Sequence, residues 1–258
     1  MGQTIAIINR KGGVSKTTTA LALVEELSAR GRKVLLVDLD QQHNGTVQYG
    51  AKIEGEATVF DLMTDPGCKA SECVQRTDTG DIIAGDDLVN KLETEMASMI
   101  GRDTVLADKL LPLKDDYDEI VIDCPPGLGV VVVNILIAAD KLIVPIFCDG
   151  FSIEGFNGLL KLVHEVKSSP RLNPGLEIAG ILITQYEARQ KLTRSYVEQM
   201  PEVAEHFGTR LFDARIRRCA KVKQAQDARV PLLEFAPSCT AAEDYRAWVD
   251  ELVEIGVV

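Results

Sequence analysis

The feature that most constrains this chain is a glycine-rich turn at residues 9–18, Asn-Arg-Lys-Gly-Gly-Val-Ser-Lys-Thr-Thr. The turn joins an apolar run to a helix-period segment, so it lies between a strand and a helix. Backbone N–H groups in such a turn converge on a phosphate, and the helix N-terminus adds positive charge. Lys16 would then contact the β- and γ-phosphates, while the Thr17 hydroxyl would bind Mg²⁺. A plain glycine turn with a solvated lysine is the alternative, and the flanking strand and helix argue against it.

Apolar runs alternate with amphipathic stretches along almost the whole chain. This alternation predicts an α/β fold, a doubly wound and mostly parallel sheet with helices on both faces. We expect a single domain, 1–258, because no linker, repeat or low-complexity tract interrupts the pattern. The predicted strands are Thr4–Ile8, Lys33–Asp38, Ile82–Ala84, Glu119–Asp123, Lys141–Ile146, Glu177–Thr184 and Thr209–Phe212. The predicted helices lie near 16–30, 87–97, 103–111, 130–139, 153–167, 189–206, 219–227 and 240–254.

Two local expectations accompany this fold. Residues 50–80 are the least periodic part of the chain and predict loops with a short helix. The last helix is expected to begin with Thr240 as its N-cap, with Glu243 three residues later as the partner in a capping box.

Composition narrows the function classes. Aromatic residues make up only 5% of the chain, which favours an aliphatic core around a parallel sheet. The net charge of −11 argues against a protein that coats nucleic acid with its whole surface. The six cysteines include no CxxC pair, so we expect reduced thiols rather than a metal cluster or a disulfide framework. No apolar run reaches the roughly 20 residues of a membrane span, so a soluble cytoplasmic protein is expected.

Two further segments place carboxylates at strand ends. The run Val34–Asp38 continues into Leu39 and Asp40, and a second apolar run ends at Asp123. Carboxylates that end buried strands beside a phosphate loop can hold Mg²⁺ through water and orient an attacking water. Taken alone, a solvated acidic pair at a strand end would explain Asp38 and Asp40 equally well.

Together these segments resemble the deviant Walker A ATPases of the ParA/MinD/Soj superfamily, P-loop proteins with the pattern K-G-G-x-x-K-[ST]. The resemblance implies ATP and Mg²⁺ as cofactors and an ATPase with slow basal turnover. It implies that Lys11 reaches across an ATP-sandwiched homodimer, that Asp40 is the catalytic residue of switch I, and that Asp123 ends the Walker B strand. The implied catalytic residues are Asp40, Lys11 and Lys16, and the implied metal ligands are Thr17, Asp123 and Asp38. The implied nucleotide-binding residues are Lys11, Gly12, Gly13, Val14, Ser15, Lys16, Thr17 and Thr18.

The chain departs from the family pattern at four positions. Ser15 stands where most members have glycine or alanine, and Gln41 stands where they have proline. Gly127 replaces a common serine or alanine, and Arg217 replaces a proline. Residues 151–155 resemble positions at the family's dimer face, and 180–186 resemble the strand that leads to its adenine pocket.

A basic stretch stands out from the acidic background. Residues 210–229 carry seven lysines and arginines against two aspartates, and 189–194 carry a smaller basic group. A solvated helix face is the common explanation for such a run, but the acidic background favours a nucleic-acid surface. The candidate DNA-binding residues are Arg189, Arg217, Arg218, Lys221 and Lys223.

The resemblance therefore implies ATP-dependent dimerisation, nonspecific DNA binding at the nucleoid and hydrolysis stimulated by a ParB-like partner. The cargo, whether plasmid, chromosome, mobile element or protein cluster, stays open. A MinD-like ATPase at a membrane is one alternative, but the acidic segment 243–254 would be repelled by anionic lipid. A metabolic or iron–sulfur carrier ATPase is another, and the paired cysteines that a cluster carrier needs are missing.

Overall fold

The computed structural model describes residues 1–147, 152–189 and 191–258, with the side chains of 152–156 and 191–194 left out. In these ranges one sheet has the strand order β3-β4-β2-β5-β1-β6-β7-β8. Neighbouring strands run parallel except for β3, which pairs antiparallel with β4 at one edge. The strands are β1 (Gln3–Ile7), β2 (Val34–Asp38), β3 (Val74–Arg76), β4 (Asp81–Ile83), β5 (Glu119–Asp123), β6 (Lys141–Phe147), β7 (Glu177–Tyr186) and β8 (Leu211–Arg217).

Helices form most of the connections between these strands. The longest are α1, α8, α9 and α12, and short 3₁₀ segments occur at Asp87–Lys91, Met96–Ser98 and Leu111–Asp115. The α-helices are α1 (Lys16–Ala29), α2 (Asn44–Tyr49), α3 (Val59–Thr64), α4 (Ala70–Cys73), α5 (Leu92–Glu95), α6 (Val105–Leu110), α7 (Val130–Ala138), α8 (Ser152–Ser168), α9 (Lys191–His206), α10 (Ala220–Ala228), α11 (Leu232–Phe235) and α12 (Thr240–Glu254).

Side chains of β2 show why both faces of the sheet are covered. Leu35 and Val37 enter the apolar cluster on one face, while Val34 and Leu36 enter the cluster on the other. Successive residues of a strand point to opposite faces, so an all-apolar strand needs a partner layer on each side. Helices α1 and α12 belong to the second layer, where Trp248 is fully buried. The predicted doubly wound α/β fold is confirmed.

The seven predicted strands are all present, and six lie within two residues of their predicted limits, whereas β8 ends five residues later than predicted. Other details also differ. The segment 50–80, expected to hold loops and one short helix, also contains the antiparallel edge strand β3. The single helix predicted at 87–97 is instead a series of 3₁₀ and short α segments. None of the helices in the described ranges is both long and apolar enough to cross a membrane.

The predicted cap of the last helix is wrong by one residue. Cys239 is the N-cap, with an extended backbone, and Thr240 is the first helical residue. A turn from the Cys239 N–H to the Ala236 carbonyl sets this conformation, and the Cys239 carbonyl then accepts the first helical bond from the Glu243 N–H. This local turn at 236–239 therefore decides where the helix begins.

Candidate functional site

The loop between β1 and α1 forms a concave turn at the carboxyl edge of the sheet. Gly13 and Ser15 both have left-handed backbone conformations, with φ of 75° and 69°. A side chain at Gly12 or Gly13 would meet no atom within 4 Å, so the space in front of the loop is open. Ser15 is the N-cap of α1, and its carbonyl accepts the N–H of Thr19. A left-handed serine costs roughly 1–2 kcal/mol, which explains why glycine is the easier residue at this position.

Side chains from neighbouring strands hold this loop in place. The Asn9 amide donates to the carbonyl of Pro145 at 2.7 Å and accepts the N–H of Lys11 at 2.9 Å. The Thr184 hydroxyl, fully buried at the end of β7, lies 3.1 Å from the Val14 carbonyl. The loop is therefore tied to β6 and β7 before any ligand binds.

Gln185 adds a contact that sequence patterns did not indicate. Its amide donates to the Gly13 carbonyl at 2.6 Å and to the Ser15 hydroxyl at 3.2 Å. Gln185 itself adopts a left-handed conformation with φ of 52°. The Ser15 side chain, a departure from the family pattern, thus has a specific partner in this chain.

The two lysines of the loop lie in different environments. Lys16 is only 5% exposed, and its ammonium donates to the Lys11 carbonyl at 3.3 Å. Lys11 is half-buried, with its Nζ 5.7 Å from the centroid of the Phe147 ring. Lys16 is therefore already directed back over the loop.

Asp38 and Asp123 come together at the carboxyl ends of β2 and β5. Their Cα atoms are register partners in the parallel ladder, and both side chains are fully buried. Asp38 accepts the Thr46 N–H at 2.7 Å, the Thr46 hydroxyl at 2.8 Å and the Asp40 N–H at 3.2 Å. The Thr46 hydroxyl in turn accepts the N–H of Gly85 at 2.8 Å. Asp38 thereby organises the loop that follows β2.

Asp123 differs from Asp38 in its hydrogen bonding. Within the part of the chain that the structure describes, neither carboxylate oxygen of Asp123 has a hydrogen-bond partner. Burial, and then the charge of Asp38, raise the pKa of Asp123 well above its usual range, and the nearby Thr17 hydroxyl and Lys16 ammonium oppose this rise. Burial also raises the pKa of Asp38 to about 6, against the hydrogen bonds from Thr46. A buried carboxylate without a donor among the described residues, beside a second buried carboxylate, fits a divalent cation with oxygen ligands.

Asp40 lies half-buried at the start of the next turn. Its carboxylate accepts the Gln42 N–H at 2.9 Å, and its carbonyl accepts the His43 N–H at 2.9 Å. These bonds hold a compact turn although Gln41 replaces the family's proline. The Asp40 carboxylate borders the same cavity as the phosphate loop.

That cavity has a volume of about 860 Å³ and is open on one side. The phosphate loop from Gly12 to Thr18 and Asp40 form one wall, together with Pro126. Residues from Ile216 to Asp227, at the end of β8 and along α10, form the other. Gln226 reaches across and donates to the Thr18 hydroxyl at 3.4 Å. The sequence did not predict this second wall, because the many basic residues of the segment indicate a DNA surface rather than the wall of a pocket.

The candidate DNA-binding residues separate into two groups in the structure. Arg217, Arg218 and Lys223 line the cavity, whereas Arg189 and Lys221 are exposed outside it. The Arg217 guanidinium makes a bidentate pair with Asp244 on α12, with contacts of 2.7–3.0 Å. Arg218 pairs with Glu187 at 2.5 Å. The seven charges of the basic stretch are therefore partly neutralised by carboxylates that lie far away in sequence.

Some predicted residues lie outside the described part of the chain. These are the side chains of the segment 151–155, assigned to a dimer face, and those of Lys191 and Arg194. The remaining predicted site residues converge on one edge of the sheet, with the exception of the exposed Arg189 and Lys221.

Comparison with known proteins agrees with this geometry. Residues 2–178 match the family model AAA_31, described as an AAA domain. The chain is 36% identical to the chromosome-partitioning ATPase Soj of Treponema pallidum, covering 98% of both chains. It is 34% identical to the chromosome partitioning protein ParA of Caulobacter vibrioides, covering 96% of this chain and 93% of that one.

A solved structure with a similar fold is that of cobyrinic acid a,c-diamide synthase from Mycobacterium smegmatis with bound ADP and magnesium. The two structures superpose with a TM-score of 0.83 at 29% identity, over 100% of this chain and 96% of the other. The match extends along the whole sheet and over both helical layers. With the phosphate loop and the strand-end carboxylates described above, these comparisons show that this chain belongs to the ParA/Soj family of P-loop ATPases.

Proposed function

We propose that this ATPase binds ATP with Mg²⁺, dimerises around the nucleotide, binds DNA nonspecifically and uses hydrolysis to release it during DNA partitioning. The observation that carries the nucleotide part is Asp123, a buried carboxylate without a protein donor in the described ranges, beside Lys16 and Thr17. A buried charge of this kind is costly unless a cation or a proton compensates for it. A Mg²⁺ ion held next to nucleotide phosphates supplies that compensation.

Each residue at this edge has a role that follows from its position. The N–H groups of the loop and the Lys16 ammonium bind the phosphates, and Thr17 and Asp123 hold Mg²⁺, directly or through water. Bound Mg²⁺ neutralises charge that develops on the phosphate oxygens. Asp38 is held in position by its hydrogen bonds from Thr46 and adds negative charge that would attract the water molecules around the ion.

Asp40 is the residue that we assign to the attacking water. It borders the cavity, and its main-chain turn fixes its direction through the Gln42 and His43 N–H groups. A carboxylate in this position accepts a hydrogen bond from water and aligns its oxygen for attack on the terminal phosphate. Since Asp40 is not among the groups that cradle the phosphates, its loss should stop chemistry without preventing ATP binding.

The far wall of the cavity suits the base and sugar of the nucleotide. Ile216, Val222 and Ala220 supply apolar surface, while Gln224 and Gln226 supply amide groups. Nucleotide pockets combine apolar walls with a few polar groups that fix orientation. The 860 Å³ cavity has ample room for an entire nucleotide.

Dimerisation and partner stimulation are proposed from the family to which the chain belongs. Half-buried Lys11 is proposed to reach phosphates held by a second copy of the chain. The curated relatives include chromosome-partitioning proteins that cover almost the whole chain. A ParB-like centromere-binding protein is therefore the proposed stimulating partner, and the nucleoid in the cytoplasm is the proposed location.

The DNA surface is proposed to lie on the exposed basic residues beside the cavity. Arg189 and Lys221 are exposed and lie outside the cavity wall. Arg217, Arg218 and Lys223 belong to the same basic region, but they also border the nucleotide cavity, so ATP can influence their positions. Phosphate contacts of this type bind DNA without reading its sequence.

We further propose that residues 1–258 act as one domain. The Gln3 amide donates to the Val257 carbonyl at 2.9 Å, and the Thr19 and Tyr245 hydroxyls bond at 3.0 Å. The apolar face of α12, including Trp248 and Leu252, is buried in the protein core. Because that face is occupied, the helix offers no support for the membrane alternative.

Light scattering with and without ATP tests the central proposal. Asp40→Ala should bind ATP and accumulate as a dimer, because assembly precedes hydrolysis. Lys11→Ala should bind ATP and stay monomeric. DNA cosedimentation should then show ATP-dependent binding for Asp40→Ala and none for Lys11→Ala. If both variants are monomeric, or both are dimeric, the division of roles between Asp40 and Lys11 is wrong.

A further inference from the structure

Two cysteines occupy matching positions at the starts of neighbouring helices. Cys219 is the N-cap of α10, and Cys239 is the N-cap of α12. Both thiols are free, partly exposed and in contact with the same apolar cluster. A helix N-terminus stabilises negative charge, an effect that acts on the sulfur of each N-cap cysteine.

The end of β8, which leads into α10, is held against α12 by contacts that do not involve the thiols. Arg217 donates from its backbone N–H to Asp244 at 2.8 Å and from its guanidinium to the Thr240 carbonyl at 3.3 Å. These contacts bring the end of β8, two residues before Cys219, against the first turn of α12, which follows Cys239 directly. The two cysteines therefore lie near each other, and each shifts the pKa of the other.

The two thiols differ in their acidity. Burial opposes ionisation of Cys219, but the Lys221 N–H, the Thr240 hydroxyl and the Ala241 N–H outweigh it, and the pKa of Cys219 is lowered. Burial raises the pKa of Cys239, and the neighbouring Cys219 sulfur raises it further. Such a pair supplies one nucleophilic thiolate and one thiol that keeps its proton until the second step.

Cys219 also belongs to the wall of the nucleotide cavity. It begins α10, the helix from which Gln226 bonds to Thr18 at the phosphate loop. A covalent change at Cys219 therefore acts on a helix that contacts the nucleotide site.

We propose that Cys219 and Cys239 are a redox-active thiol pair that hydrogen peroxide oxidises to a disulfide, and that this disulfide weakens nucleotide binding. In the first step the Cys219 sulfur attacks a peroxide oxygen and the O–O bond breaks. Hydroxide leaves and takes up a proton to become water, and Cys219 becomes a sulfenic acid. In the second step Cys239 loses its proton and attacks the Cys219 sulfur. The S–O bond breaks and a second water leaves. The two thiols have lost two electrons and the peroxide has gained them.

The effect on binding rests on the nucleotide site proposed above. Bringing the sulfurs to the bonding distance of about 2.05 Å draws the starts of α10 and α12 together. Because the phosphate loop is tied to β6 and β7, the far wall moves relative to it, and Gln226 loses its alignment with Thr18. A thiol reductant restores both thiols and the original wall.

A second thiol pair provides an internal control. Cys68 and Cys73 have sulfurs 3.2 Å apart, far from the cavity wall. Burial raises the pKa of Cys73 to about 12, and its sulfur is completely buried. The short distance between the sulfurs would favour oxidation of the Cys68–Cys73 pair, whereas the lowered thiol pKa of Cys219 favours oxidation of the Cys219–Cys239 pair.

The test treats the reduced protein with hydrogen peroxide, blocks remaining thiols and maps the disulfides by mass spectrometry of unreduced peptides. We expect a Cys219–Cys239 cross-link in the wild type and in Cys68→Ser/Cys73→Ser. Cys239→Ser should yield no such cross-link but a Cys219 sulfenic acid that dimedone traps. ATP affinity, measured by calorimetry in Cys68→Ser/Cys73→Ser, should fall about fivefold or more on oxidation and recover after reduction.

The outcomes separate this proposal from the proposed function. If peroxide cross-links Cys68 to Cys73 and leaves Cys219 and Cys239 as thiols, the redox pair is refuted. If Cys219 and Cys239 cross-link and ATP affinity is unchanged, control of nucleotide binding is refuted. Failure of the reduced protein to bind ATP would instead refute the nucleotide site, since cross-linking is measured without ATP.

Discussion

Asp38 and Asp123 are register partners at the carboxyl ends of adjacent parallel strands, yet they are satisfied in opposite ways. Asp38 accepts three hydrogen bonds from the segment that follows it, while Asp123 accepts none from the described residues. The first carboxylate shapes the loop, and the second is left for a cation. Two identical side chains at equivalent strand ends thus have different chemical roles.

Asp123→Asn should raise the stability of the nucleotide-free protein and weaken Mg²⁺-dependent ATP binding. The amide removes a buried, uncompensated charge, so we expect the melting temperature at pH 8 to rise by a few degrees. Calorimetry with and without Mg²⁺ should show that the ion no longer increases ATP affinity about tenfold or more. Asp38→Asn is the matched control and should lower the melting temperature, because its single amide oxygen cannot accept the bonds from both Thr46 and the Asp40 N–H. Equal shifts in both variants would contradict the different roles.

Thr46→Val should reduce ATP turnover much more than ATP affinity. The hydroxyl donates to Asp38 and accepts from the Gly85 N–H, and all three groups are buried. Valine keeps the shape but removes one hydrogen bond to Asp38 and leaves the Gly85 N–H without its acceptor, at a cost of about 1–3 kcal/mol in the free energy of unfolding. Chemical denaturation and steady-state kinetics measure the two effects. Thr46→Ser, which retains the hydroxyl, should behave like the wild type; a similar loss in Thr46→Ser would refute the role of the hydroxyl.

Glu25→Gln should stabilise the protein at high pH and have little effect at low pH. Burial in α1 raises the pKa of Glu25 from its ordinary value of 4.5 to about 8, and the charges of Glu234 and Glu26 raise it as well. A raised folded pKa means that the folded state keeps a proton that the unfolded state loses. The contribution of the Glu25 carboxyl to the free energy of unfolding is therefore fully present below pH 4.5 and is lost as the pH rises through about 8.

Urea denaturation at pH 5 and pH 9 measures this linkage. The stability difference between Glu25→Gln and wild type should be small at pH 5 and on the order of 3 kcal/mol at pH 9. The amide oxygen of glutamine still accepts the Leu233 N–H, so that bond is not a complication. Glu54→Gln, at an exposed position, should show no such pH dependence. A constant difference for Glu25→Gln at both pH values would disprove the raised pKa.

Replacing Arg189 and Lys221 together with alanine should flatten the salt dependence of DNA binding. The log–log slope of affinity against salt changes by about 0.9 for each phosphate contact that is lost. Both side chains are exposed and lie outside the nucleotide cavity, so ATP affinity should stay at the wild-type level. Cosedimentation across a salt series measures the slope, and Lys167→Ala on α8 is the control. An unchanged slope would place the DNA surface elsewhere.

Arg217→Ala should have a different effect from the Arg189 and Lys221 pair. Its bidentate partner Asp244 is mostly buried, so the change leaves a carboxylate without its cation and frees the start of α12 from β8. We expect destabilisation of about 1–3 kcal/mol and weaker ATP binding. If Arg217→Ala instead flattens the salt slope without changing stability, Arg217 is a DNA contact.

The sequence by itself determined the elements and the phosphate loop. The spacing of apolar residues has a period of about 2 in strands and about 3.6 in helices, and both periods can be recognised in consecutive residues. A glycine-rich turn between a strand and a helix can adopt only a few backbone conformations. Asp38 and Asp123 could be assigned to one edge because parallel strands end on the same side. These features depend on neighbours in sequence, so they can be recognised before the chain is folded.

Only the tertiary structure decided which of these groups have partners. Thr46 donates hydrogen bonds to Asp38, whereas Asp123 has no donor among the described residues. Asp244 neutralises Arg217, and part of the basic stretch forms the far wall of the proposed nucleotide cavity. Cys219 and Cys239 lie near each other for the same reason, although 19 residues that include the helices α10 and α11 separate them in sequence. The strength of a buried charge or hydrogen bond depends on atoms a few ångströms away, and residues distant in sequence supply those atoms.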